Sequence, residues 1–219
     1  MLIPSPAHTF VKICGLSGPA DMHACVEAGA DAVGINLYPK SKRYLPLEKA
    51  AAWLGACERG PLRVALFVNA PVYEIRTAVE TGCFDAVQLH GDESPAFCQE
   101  VKSLGLPVLR ALALRSPEDA AGLATHPADA FILDAHAPID YGGTGRLSDW
   151  ALAADAVRAF PDKLILLSGG ITPENAAAAM AAVHPPGLDT ASGVESAPGV
   201  KSHEKIHAFL RAVRNFARN

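Results

Sequence analysis

Short apolar runs of four to seven residues alternate along this chain with longer stretches whose apolar positions recur at helical spacing. The first run is Thr9–Cys14 (TFVKIC), closed by Gly15, and the stretch behind it sets Met22, Cys25 and Val26 on one helix face. Further runs lie at Asp31–Leu37, Leu62–Val68, Ala86–His90, Val108–Leu114, Ala130–Asp134, Leu164–Leu167 and Leu188–Ala191. Between them the spacing predicts helices carrying Leu47, Ala50, Ala51 and Leu54, then Val72, Ile75 and Val79, then Phe97, Val101 and Leu104. A short helix is predicted near Pro117–Ala124, another from about Ser148, and one capped by Thr172 with Pro173 in its first turn. The last, from about Ser202, buries Ile206, Phe209, Leu210 and Val213.

Eight rounds of strand then helix follow one another without a linker or a low-complexity break. Strict alternation implies parallel strands joined by right-handed crossovers, and eight of them close into a barrel without a free edge. A doubly wound open sheet would carry its glycine-rich turn after the first strand. Here the glycine turns come last, so the expected architecture is α/β, one (β/α)8 TIM barrel of the phosphate-binding type spanning residues 1–219.

Those late turns are Ser168-Gly169-Gly170 after the seventh run and Ser192-Gly193 after the eighth. Glycines just past a strand let backbone N–H groups approach an anion, and a helix start adds a positive field. Two such turns in succession suggest a cup for one phosphate, although each alone also reads as an ordinary connection.

Composition narrows the class further. Half of the 219 residues are hydrophobic and 19% are charged, enough for a large core. A formal net charge of -4 and a pI near 6.0 speak against nucleic acid as a partner. No apolar run approaches the ~20 residues of a membrane helix, and the opening MLIPSPAHTF lacks the form of a secretory signal. Five widely spaced cysteines without a CxxC pair fit a reducing cytoplasm better than a disulfide framework or a zinc site.

In a barrel of this kind the chemistry sits at the C-terminal ends of the strands. Lys12 and Cys14 share one face of the first strand, and Gln88 and His90 share one face of the fourth. A cation one layer below Cys14 would favour its thiolate, whereas a lone strand cysteine is more often a small buried hydrophobe. Asp134 ends the apolar run AFIL, where a carboxylate without partners or a task would be costly. Because the eighth strand adjoins the first, Asp134 and Cys14 are expected to flank the phosphate cup, as an acid and a base on two sides of one phosphosugar. Arg43, in a basic loop after the second strand, reads either as a carboxylate fork or as part of a solvated face. His90 reads most simply as a hydrogen-bonded interior histidine, and Gly142-Gly143-Thr144-Gly145 as a lid or a connector.

Taken together, the segments VKICG (11–15), GINLYPKSKRYL (34–45), LFVNAP (66–71), QLHGDES (88–94), ILDA (132–135), GGTG (142–145), LSGGITPENA (167–176) and LDTASGVESAPGVK (188–201) resemble the phosphoribosylanthranilate isomerases of tryptophan biosynthesis. The resemblance runs nearly the whole length. It implies an Amadori rearrangement of N-(5-phosphoribosyl)anthranilate to 1-(2-carboxyphenylamino)-1-deoxyribulose 5-phosphate, with no cofactor and no metal. It also implies that Asp134 is the general acid and Cys14 the base, that Arg43 holds the anthranilate carboxylate, and that Asp189 lies near the anthranilate nitrogen. His90, Gly142, Gly143 and Gly145 would complete the substrate site. Ser168, Gly169, Gly170, Ser192 and Gly193 would hold the phosphate. The expected protein is a cytoplasmic monomer or homodimer acting on a small molecule.

Two departures stand out: Ser41-Lys42-Arg43 where such loops usually read Ser-Pro-Arg, and Lys201-Ser202 where Lys-Asp is usual. The first removes a proline's restraint from the Arg43 loop, and the second touches a helix cap. The related isomerase of the histidine pathway would need a second glycine cup across the barrel, where this chain has Asn69-Ala70-Pro71 and Gly91-Asp92. A catalytically silent phosphosugar-binding barrel would need neither Cys14 nor Asp134.

Overall fold

Eight strands lie side by side in chain order: β1 (Phe10–Cys14), β2 (Ala32–Asn36), β3 (Leu62–Phe67), β4 (Ala86–Leu89), β5 (Val108–Ala113), β6 (Ala130–Asp134), β7 (Ile165–Leu167) and β8 (Gly187–Thr190). In this computed structural model, which describes residues 8–57, 60–134 and 149–216, all neighbouring strands are parallel and β8 pairs back onto β1. The barrel is therefore closed. Around it run α1 (Pro19–Ala28), α2 (Leu47–Leu54), α3 (Val72–Glu80), α4 (Pro95–Lys102), α5 (Ala121–Thr125), α6 (Trp150–Ala159), α7 (Ala176–Val183) and α8 (His203–Phe216).

The strands read as apolar runs because both of their faces are covered. Val11, Ile13, Val33, Ile35, Phe131 and Leu133 pack outward against the helices. Phe10, Ala32, Val64, Ala86, Leu109, Ile132 and Leu166 fill the interior toward the strand starts, small residues beside large ones. Above this packed floor the inward positions turn polar or open, and that change marks the mouth.

The opposite rim is stapled by a device repeated along the sequence. Asp31, Asp85 and Asp129 each precede an even-numbered strand and accept the backbone N–H of Val11, Arg63 and Val108 on the preceding odd one, at 2.8–2.9 Å. Each bond ties two neighbouring strands at the end remote from the site. The triplets Asp-Ala-Val (31–33), Asp-Ala-Val (85–87) and Asp-Ala-Phe (129–131) are its sequence signature.

Several local expectations shift. Val26 is 47% exposed, because the buried stripe of α1 passes through Asp21, Met22, Ala24 and Cys25 instead. The regular part of α7 begins at Ala176, after a turn in which the Asn175 side chain accepts the Thr172 N–H and donates to the Gly170 carbonyl. The chain near Pro117 starts as a 3-10 turn, Pro117–Ala120, before α5. Asp149 caps α6 by accepting the N–H groups of Ala151 and Leu152. Between β8 and α8 lies a hairpin that periodicity did not predict, β9 (Glu195–Ala197) with β10 (Val200–Lys201). At the second departure noted above, Ser202 accepts the Lys205 N–H with its hydroxyl, so α8 keeps a cap.

Candidate active site

Cys14 ends β1 with its side chain turned inward, in a small apolar cluster with Leu66, Val68, Tyr38 and Ala191. One layer down, Lys12 is fully buried and donates to Asp189 Oδ1 at 2.7 Å. The other oxygen of Asp189 accepts the Ser168 hydroxyl at 3.1 Å. Burial opposes the charge of Lys12, but the negative Asp189 and the Cys14 thiol beside it more than offset this, so Lys12 titrates above its ordinary value of 10.5. A buried ammonium thus lies directly beneath the sulfur.

Room for this pair comes from Gly34 on β2, which pairs in register with Cys14. A Cβ there would fall 2.7 Å from the Cys14 sulfur and 3.3 Å from Lys12 Nζ. A glycine inside a strand often marks a close approach of this kind, and the Gly-Ile-Asn run is the signal that pattern reading passed over.

Across the mouth, Asp134 ends β6 and meets His90 just past β4, with His90 Nε2 3.3 Å from Asp134 Oδ2. Gln88, fully buried on the same face as His90, places its amide nitrogen 2.7 Å from His90 Nδ1. The Gln88 amide thus holds the ring from one side, and Nε2 is the atom that faces Asp134. Asp134 and His90 are both mostly buried yet retain some exposure to the mouth.

Between β6 and β1 stand β7 and β8, whose exits carry the two glycine turns. Gly169 and Gly170 have φ of 87° and 68°, left-handed values that a side chain would resist. Beyond β8, Ser192–Val194 forms a 3-10 turn, and Gly193 lies so close to the first turn that a Cβ would come 1.9 Å from the Ile171 carbonyl oxygen. The Thr190 hydroxyl also donates to that carbonyl, at 2.7 Å. The two turns therefore form one continuous surface. Ser168, expected at the phosphate, has its hydroxyl on Asp189.

Arg43 is placed differently from a mobile fork. Its Nε and Nη2 donate to both oxygens of Glu195 on β9, at 2.6 and 2.8 Å. Lys201 on β10 donates to Glu195 Oε1 at 2.8 Å and to the Ala191 carbonyl at 2.9 Å. Burial works against the charge on Glu195, but hydrogen bonds from Arg43 and Lys201 hold its carboxyl below the ordinary 4.5. The loop is fixed without proline: Ser41 Oγ accepts the Arg43 N–H, and the Lys42 carbonyl rests against Gly199. Gly142, Gly143 and Gly145 lie outside the described residues. Among the described residues, no group of three or more His, Cys, Asp and Glu side chains could hold a metal ion.

The two glycine turns thus lie between a cysteine ending β1 and an aspartate ending β6, and a family model, "N-(5'phosphoribosyl)anthranilate (PRA) isomerase", matches residues 11–212. The chain belongs to this isomerase family. The isomerase of Myxococcus xanthus is 45% identical to it over 212 residues, 94% of this chain and 96% of that one. The crystal structure of phosphoribosyl anthranilate isomerase from Thermotoga maritima superposes with a TM-score of 0.85 at 33% identity, covering 95% of this chain and all of that one. A phosphoribosyl anthranilate isomerase in complex with reduced 1-(o-carboxyphenylamino)-1-deoxyribulose 5-phosphate matches with a TM-score of 0.82 at 32% identity, covering 95% and 100% of the two chains. Against this family background, the residues that sequence reasoning left off the site are Gly34, Glu195 and Lys201. Lys12 and Gln88 were noticed only as same-face neighbours of Cys14 and His90.

Proposed function

We propose that this chain isomerises N-(5-phosphoribosyl)anthranilate to 1-(2-carboxyphenylamino)-1-deoxyribulose 5-phosphate, with Asp134 as acid and Cys14 as base. The observation that carries this reading is the placement of Asp134 and Cys14 on strands β6 and β1, on either side of the turns of β7 and β8. The 5-phosphate sits on the N–H groups of the Gly169-Gly170 and Ser192-Gly193 turns, and the sugar lies between the two reactive side chains.

Asp134 protonates the furanose ring oxygen while the anilino nitrogen pushes its lone pair toward C1′, so the ring bond breaks and an iminium forms. His90 Nε2 then faces the new carboxylate. Cys14, as thiolate, removes the C2′ proton, and the C–H electrons form the C1′–C2′ double bond as the iminium is neutralised. The buried Lys12 ammonium, held by Asp189, lies beneath the sulfur throughout that step. The enolamine then gains a proton at C1′ and loses one from O2′, giving the ketone with no net exchange of atoms. Arg43 faces the anthranilate carboxylate. Two cations, Arg43 and Lys201, share the single carboxylate of Glu195, and the surplus positive charge suits an anionic substrate.

The setting proposed is the cytoplasm, where thiols stay reduced; all five cysteines are free. The test is the loss of anthranilate-type fluorescence when purified protein meets phosphoribosylanthranilate. No turnover by the folded wild-type chain would refute the reading.

A further inference from the structure

The contacts of Arg43 raise a question that its expected role leaves open: what fixes the direction of a long, flexible side chain at the rim. Its stem crosses Gly15, the residue next to Cys14, so closely that a Cβ there would fall 2.4 Å from Arg43 Cδ. Gly15 has φ of 82°, so both its backbone and its bare surface suit this crossing. Burial opposes the charge of Arg43, but Glu195 first, and then Cys14 and Asp189, more than offset this and raise its titration, in keeping with a guanidinium at the strand-exit end of the barrel. From the other side Glu195 takes two of its N–H groups bidentately, and Lys201 holds Glu195 in turn. Glu195 and Lys201 are both buried, so neither can be a solvated surface partner chosen among many.

We propose that Glu195, anchored by Lys201 on the β9–β10 hairpin, is a positioning residue that aims the unshared edge of Arg43 at the substrate's ring carboxylate and thereby sets specificity for a carboxylated aryl group. The inference rests on the isomerase reading for the identity of that carboxylate. A planar guanidinium with one edge locked has only the remaining edge to offer, so little rotamer freedom is lost when the ligand binds. Glu195 also sits two residues beyond Gly193, and Lys201 bonds the Ala191 carbonyl, so the same hairpin joins the aryl end to the phosphate turn. A merely structural hairpin would therefore disturb both ends when damaged. A positioning residue disturbs one.

The experiment compares three ligands by calorimetry on the full chain: 1-(2-carboxyphenylamino)-1-deoxyribulose 5-phosphate, its counterpart without the ring carboxylate, and inorganic phosphate. The wild type should prefer the carboxylated ligand, and Arg43→Ala should lower that preference by about 10- to 100-fold, the range for a charge-assisted bidentate contact. Glu195→Gln should lower it about tenfold, Glu195→Asp less, and the double variant Arg43→Ala/Glu195→Gln no further than Arg43→Ala alone. Phosphate affinity should stay within about twofold throughout, as expected when only the aryl-end contact is altered. Full preference in both Glu195 variants, multiplying losses in the double variant, or a parallel drop in phosphate affinity would each overturn the proposal. If Glu195→Gln does not fold, the charge-preserving Glu195→Asp decides alone. Wild-type turnover is read separately: an inactive wild type that still discriminates defeats the isomerase reading and not this one.

Discussion

Replacing Gly34 by alanine tests the geometry around Cys14 without altering either side chain proposed to carry the chemistry. Gly34 does not have a left-handed φ, so the new side chain meets no backbone strain, and alanine in a strand is ordinarily favoured over glycine by roughly 0.5–1 kcal/mol. The perturbation is therefore steric. The added Cβ would stand 2.7 Å from the Cys14 sulfur and 3.3 Å from both Cys14 Cα and Lys12 Nζ. Ordinary contact needs about 3.5–4.0 Å, so the sulfur must move by about 1 Å. Overpacking of this kind costs about 1–3 kcal/mol, which the gain in strand preference partly offsets. The net stability change is small against a typical folding stability of about 5–15 kcal/mol, so the protein stays folded. A displacement of 1 Å at a reacting atom, however, costs about 10²-fold in rate. Steady-state fluorescence kinetics should therefore show kcat down by about 10²-fold, with the thermal midpoint lowered by only a few degrees. A folded Gly34→Ala protein with kcat within threefold of wild type would show that the sulfur's position is not what the rate depends on, and the argument for Cys14 would fall with it.

Other outcomes follow from the same geometry. Cys14→Ala and Asp134→Asn should each lower kcat by about 10²–10⁴-fold while binding of the product stays near normal by calorimetry; near-normal kcat in either would remove that residue from the mechanism. Gly193→Ala pushes a Cβ against the Ile171 carbonyl, which cannot swing aside as a side chain would, so the two turns must part. Its KM should rise tenfold or more and inorganic phosphate should inhibit less well, and an unchanged inhibition constant would contradict the assigned cup. The depressed carboxyl of Glu195 gives a pH effect of known sign: its stabilisation is complete above the ordinary value of 4.5 and is lost as pH falls through the lower folded value. Below pH 4.5 the thermal midpoint of the wild type should therefore drop more steeply than that of Glu195→Gln, and parallel curves would argue against the buried pair.

What the amino-acid sequence determined by itself was the ring of strands and the order of its parts. Parallel strands covered on both sides must be apolar throughout, so each appears as a short run, and the helices between them show one apolar stripe. The positions of Cys14 and Asp134 at strand ends were legible because each is a polar or ionisable group closing such a run, and the turn after β7 because its two glycines take left-handed backbone angles. Tertiary structure decided everything that depends on closing the ring. Lys12 meets Asp189 across 177 positions of sequence, and Arg43 meets Glu195 across 152, once β8 has docked on β1. No local period encodes such pairs, and the hairpin bearing Glu195 is too short to show one. The exposed side of Val26 was misjudged for a related reason, since a helix with two adjacent apolar stripes is oriented by what it packs on. Gly34 marks the same limit: the run in which it lies announces a strand, but only the register with Cys14 reveals that a missing side chain is what makes room for the sulfur.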